Sequence, residues 1–68
     1  MKNDRVYLII DDDRGIYFVR LGLGIFWECT SDRSKAREFP RRRDASRMLT
    51  STGKQHQGWR IVAARRLN

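Results

Sequence analysis

The sequence predicts an α+β fold: an antiparallel β-meander of three to four strands, in the order β-β-β-α-β, with one helix packed on one face. Three observations lead there. The first half holds three short runs of β-branched and aromatic residues split by tight turn chemistry. A single stretch then repeats its apolar residues at helical spacing, and a last run alternates with period two. At 68 residues the chain is one domain, 1–68, with room for only a compact core.

Val6-Tyr7-Leu8-Ile9-Ile10 reads as the first strand, and Asp11-Asp12-Asp13-Arg14-Gly15 as the turn that ends it. Ile16–Leu21 is the second strand, Gly22-Leu23-Gly24 a tight connection, and Ile25–Thr30 the third strand. Loops this short cannot carry a parallel crossover, so the three strands form an antiparallel meander. Ser31–Lys35 is polar turn chemistry with room for one helical turn. It leads to Ala36 and Phe39, which are expected to plug the end of the core. Pro40 stops that segment and opens the next. From about Arg41 to Ser51, the residues Ala45, Met48 and Leu49 make one helix face, and Gly53 is a natural stop. After a polar loop, Trp59, Ile61 and Ala63 alternate with Arg60, Val62 and Ala64 in a last strand. A helix over one face of such a sheet is a sound two-layer solution, but the edge that receives the last strand is left open.

The stretch Trp27-x2-Thr30-x-Asp32-x3-Ala36-x2-Phe39-x5-Ala45 resembles one found in small, mostly uncharacterised α+β proteins borne by phages, prophages and plasmids. The resemblance covers most of the chain through few positions, and it implies the fold and a mobile-element origin. It implies no shared chemistry. Pro40 and three arginines replace the Ser/Thr cap and acidic first turn usual at that helix start.

Catalysis finds little support. One histidine, His56, and one cysteine, Cys29, make no nucleophile–base pair, and Gly22-Leu23-Gly24 lacks both the spacing and the strand–helix flanks of a phosphate loop. The expectation is a protein that is not an enzyme, with no cofactor. Cys29 reads as a small buried hydrophobe. Asp11-Asp12-Asp13 reads as a solvated hairpin tip rather than a metal site, because adjacent residues of extended chain point apart. No apolar run approaches the length of a membrane span, and the start of the chain lacks the pattern of a signal peptide, so a cytoplasmic location without membrane contact is expected.

Charge is the strongest signal. The net charge is +7, and it is unevenly placed. Residues 1–32 carry four basic and six acidic side chains, a net of −2, whereas residues 33–68 carry eleven and two, a net of +9. Such asymmetry points to an anionic partner, although an arginine-rich composition also follows from GC-rich codons. Arg41, Arg42 and Arg43 sit where a helix start favours Asp or Glu. Arg47, Arg37, Lys35 and Arg33 surround them; the candidate site is these three with Arg37 and Arg47, and Arg60 and Arg65 on the last strand join it if that strand lies near the helix start. The expectation is a basic binding module for nucleic acid, DNA or RNA, that grips phosphates with little sequence specificity. The alternative is a module docking on a host protein. Tyr7, Tyr17, Phe18, Phe26, Trp27 and Trp59 are too many for both faces of a sheet this small to be core, so some rings should stay exposed for base stacking, for a partner, or for a second copy in a homodimer.

Overall fold

A computed structural model describes residues 4–22, 27–52 and 58–67, with only the backbone of Thr52. It is a small α+β fold with a four-stranded antiparallel open sheet and one helix. The elements run β1 (Arg5–Asp11), β2 (Ile16–Leu21), β3 (Trp27–Thr30), a 3-10 turn (Arg33–Lys35), α1 (Arg42–Thr52) and β4 (Trp59–Arg65). Gly53, His56, and the Leu23-Gly24 and Ile25-Phe26 pairs lie outside the described residues. Among the described residues no helix is long and apolar enough to cross a membrane.

The sheet order is β3-β2-β1-β4. The last strand takes the free side of β1, in unbroken register from Arg5 opposite Arg65 to Asp11 opposite Trp59. On its other side β1 meets β2 only at Ile10–Tyr17 and Asp11–Ile16. Beyond that point β2 leaves β1, and the segment Arg37–Phe39 fills the gap. Tyr7 and Phe39 exchange two backbone hydrogen bonds of 2.9 Å, and the N–H of Arg37 donates to the carbonyl of Phe18 at 2.9 Å. A stretch that the sequence marks as a plug for the end of the core thus also acts as a short wedge in the sheet, keeping buried peptide groups paired.

Alternation along the strands sorts the apolar residues onto two faces. Ile9, Phe18, Phe39 and Trp59 gather under Ala45 and Leu49 of α1, with Tyr7, Ile16, Trp27, Met48 and Ile61 around them. The helix packs on β1 and β4. Phe18 lies 4.5 Å from Trp27 and 6.1 Å from Phe39, and Trp27 meets Trp59 edge-on at 4.9 Å. Strands β3 and β4 are the two edges of the sheet, so their tryptophans meet only because the sheet curls over the core. Ring pairs of this kind add about 0.5–1.5 kcal/mol beyond their burial. The second face buries Val6, Leu8 and Ala36, with Ile10, Tyr17, Val62 and Ala64 packed against them. Phe39 and Ala36 are both buried as their spacing suggests, but on opposite faces of the wedge.

Two expectations are corrected. Cys29 is exposed, because β3 is the edge strand on the far side of the sheet from the β1 and β4 strands that the helix covers. Its thiol reaches the Trp27 carbonyl at 3.7 Å. Asp11 is no solvated tip residue: it ends β1 and is only 3% exposed. Its Oδ1 accepts from the N–H groups of Asp13 (3.1 Å) and Arg14 (3.4 Å), and the Arg14 guanidinium stands 3.6 Å from Oδ2. Gly15, at a φ of 65°, turns the chain back and donates its N–H to the Asp11 carbonyl. Among the described residues no three carboxylate, imidazole or thiol groups converge as a metal site would need.

Each position of the Trp27–Ala45 stretch has a structural task. Thr30 Oγ1 accepts from the N–H of Asp32, and Asp32 caps the 3-10 turn by accepting from the N–H (2.9 Å) and hydroxyl (2.7 Å) of Ser34. Trp27, Ala36, Phe39 and Ala45 supply core.

Candidate functional site

Several arginines are engaged by carboxylates. Arg14 meets Asp11, Arg20 meets Glu28 across β2 and β3, Arg33 meets Glu38 at 3.3 Å, and Arg60 meets Asp12. Hydrogen bonding to Glu28 and Asp12 raises the pKa values of Arg20 and Arg60 and holds the Asp12 carboxyl below its ordinary value. Arg33 does more than pair. It also donates to the carbonyl of Arg65, while Glu38 accepts from the N–H of Leu67 at 2.7 Å. The pair therefore clasps the end of β4 to the segment that precedes the helix.

Arg41, Arg42, Arg43 and Arg47 have no carboxylate partner among the described residues. Arg41 occupies the cap position, its carbonyl accepting from the N–H groups of Asp44 (3.1 Å) and Ala45 (3.4 Å). Arg42 and Arg43 form the first turn with Asp44 as its one acidic residue. Because Ala45, Met48 and Leu49 face the sheet, Arg43 and Arg47 stand one turn apart on the outward side. Like charges at that spacing repel by about 0.2–0.5 kcal/mol. Arg37 lies on the wedge, exposed, with its guanidinium 5.2 Å from the centre of the Phe39 ring, a cation–π contact.

The two strand arginines part company. Arg60 shares its face with Val62 and Ala64, away from the helix, and is held by Asp12. It does not join the helix-start cluster. Arg65 shares the face of Trp59 and Ile61, which is the helix face. The register puts it directly opposite Arg5, a residue that sequence reasoning missed. Like charges placed opposite one another across strands are unfavourable. Ala63, Ala64 and Asp4 complete a shallow open groove of about 390 Å³ between these two arginines. Chain connectivity places the groove beside the helix start: the chain leaves the Tyr7–Phe39 bridge for Arg41 and returns to the sheet at Trp59, the far end of β4. Arg5 and Arg65 thus lie at the end of the sheet from which the chain leaves for Arg41 and the helix start.

Among the described residues the large rings do not form a stacking platform. Phe18, Phe39 and Trp59 are buried, Tyr7, Tyr17 and Trp27 are half-buried, and the large apolar side chains that are exposed among the described residues are Leu21 and Leu67. The sheet accommodates the rings because it curls and buries residues on both faces.

No family model, curated protein or solved structure matches the chain.

Proposed function

We propose that the chain is a non-enzymatic polyanion-binding module that holds the phosphate backbone of DNA or RNA. Arg41, Arg42, Arg43 and Arg47 would make the contacts, with Arg37, Arg65 and Arg5 beside them. The observation that carries this reading is the partition of the arginines. Carboxylates engage Arg14, Arg20, Arg33 and Arg60, while Arg41, Arg42, Arg43 and Arg47 have none among the described residues. An anion would relieve both the repulsion among them and their clash with the helix dipole. Arginine forks on an exposed helix face suit phosphate oxygens, and burial of the aromatic rings argues against base stacking. Contact through phosphates alone positions a ligand without reading its sequence.

The test is a titration of labelled duplex DNA, single-stranded DNA and RNA at about 50 and 200 mM salt, where binders with several phosphate contacts lose orders of magnitude. The triple change Arg41/Arg42/Arg43→Ala should weaken binding to every sequence and lower the salt slope by roughly 2–3 on duplex DNA. Arg60→Ala should leave both unchanged. Absence of binding at the lower salt, or binding indifferent to salt and to the triple change, overturns the proposal and leaves docking on a host protein as the reading to pursue.

A further inference from the structure

The two edges of the sheet are built differently. β3 is four residues long, and its pairing with β2 is broken by a register shift between Phe18 and Arg20. Short, irregular edges are protected against adding a strand. β4 is seven residues long and in unbroken register with β1, and its middle, Ile61-Val62-Ala63-Ala64, has neither charge nor proline. Nothing in that segment guards the edge.

The peptide groups that face outward can be identified. The N–H of Arg66 donates to the carbonyl of Asp4 at 2.7 Å. In an antiparallel ladder the hydrogen-bonded pairs alternate, so Ala64, Val62 and Arg60 also turn their peptide groups towards β1. Those of Trp59, Ile61, Ala63 and Arg65 point to the open side. Arg33 already occupies the Arg65 carbonyl. Trp59, Ile61 and Ala63 keep outward N–H and C=O groups with no partner among the described residues.

We infer that this edge pairs with the β4 edge of a second copy of the chain, antiparallel, about a two-fold axis at Ile61. In that register the three outward residues satisfy one another: Ile61 pairs with its own copy, and Trp59 pairs with Ala63 of the other protomer. The side chains agree with it. The large Trp59 lies beside the small, exposed Ala63, and Arg60 lies beside Val62, so no arginine along the edge opposes another. A register centred one residue later would instead need the Arg65 carbonyl that Arg33 holds. A net charge of +7 per chain works against self-association. The two-fold answers this by placing the arginine ends far apart. Arg65 and its copy are eight strand positions from each other, about 26 Å at 3.3 Å per residue. That exceeds two Debye lengths of about 8–10 Å at ordinary salt. The pairing does not depend on what the arginines hold. A contact limited to one strand edge is small, so the dimer should depend on concentration.

Sedimentation equilibrium over a concentration series reads the assembly directly, with a dimer expected at the upper end. Ala63→Pro removes one outward N–H and no bond to β1, so it should yield a folded monomer by circular dichroism. A second test does not need that variant to fold. In a Cys29→Ser background, Arg60→Cys and Val62→Cys proteins should oxidise to a mixed disulfide dimer when combined, and far less when alone. A wild-type chain that stays monomeric up to about 1 mM, a dimer untouched by Ala63→Pro, or absence of the mixed cross-link overturns the inference. Nucleic-acid titration of the Ala63→Pro monomer separates this failure from failure of the binding proposal.

Discussion

Arg33 and Arg43 lie ten residues apart in the chain, yet they do opposite things. Arg33 is only a quarter exposed, pairs with a Glu38 carboxylate that is 11% exposed, and reaches the Arg65 carbonyl. Arg43 is exposed, in the first turn of α1, where the helix dipole and Arg47 both oppose it. The first is spent on joining elements, and the second is unfavourable for the isolated fold. A total charge treats both alike. The difference teaches that a basic patch should be counted only after removing the arginines that carboxylates already hold.

The largest expected effect lies on the structural side. Arg33→Ala removes both contacts and takes the guanidinium away from a nearly buried Glu38 carboxylate. Loss of a charged partner at such a site costs about 1–3 kcal/mol. Chemical denaturation should therefore show a clear fall in midpoint, while affinity for nucleic acid, measured where the variant is folded, stays near that of the wild type. If Arg33→Ala weakened binding without destabilising the fold, the division between the two kinds of arginine would collapse.

The opposite substitution should have the opposite sign. Arg43→Glu puts a carboxylate in the first turn of α1 and turns its repulsion with Arg47 into an i,i+4 attraction. Thermal unfolding should show a gain of about 0.3–1 kcal/mol at low salt, shrinking as salt is added. The same variant should bind nucleic acid more weakly. Stability that rises while affinity falls marks a residue kept against the needs of the fold. A loss of stability would place Arg43 with Arg33.

Much of the fold was legible because the signals were local. The bounds of β2 and β4 follow from the β-branched and aromatic runs, and α1 follows from Ala45, Met48 and Leu49. What failed depended on neighbours distant in sequence. Cys29 sits among apolar residues, but whether a strand is buried depends on its place in the sheet, and β3 is an edge. Asp11 is buried at the end of β1 that pairs with Trp59, which no turn pattern announces. Arg5 enters the basic end only through a register that joins residues sixty positions apart. Arg60 was separable from the start: it alternates with Trp59 and Ile61, and Arg65 does not.

The smallest effect concerns the turn that presents Arg33. The Asp32 carboxyl accepts from the side-chain and backbone donors of Ser34, which hold its pKa below the ordinary 3.8. A carboxyl whose folded pKa is depressed contributes its full stabilisation above the unfolded value and loses it as pH falls through the folded one. The contribution is therefore intact at neutral pH and disappears below about pH 4. Asp12, lowered by Arg60, behaves in the same way. Asp32→Asn should leave a thermal midpoint that changes less between pH 5 and 3 than that of the wild type, with a neutral-pH loss smaller than that of Arg33→Ala. An acid limb of unchanged steepness would mean that the cap contributes nothing, and that Arg33 is positioned by Glu38 and β4 alone.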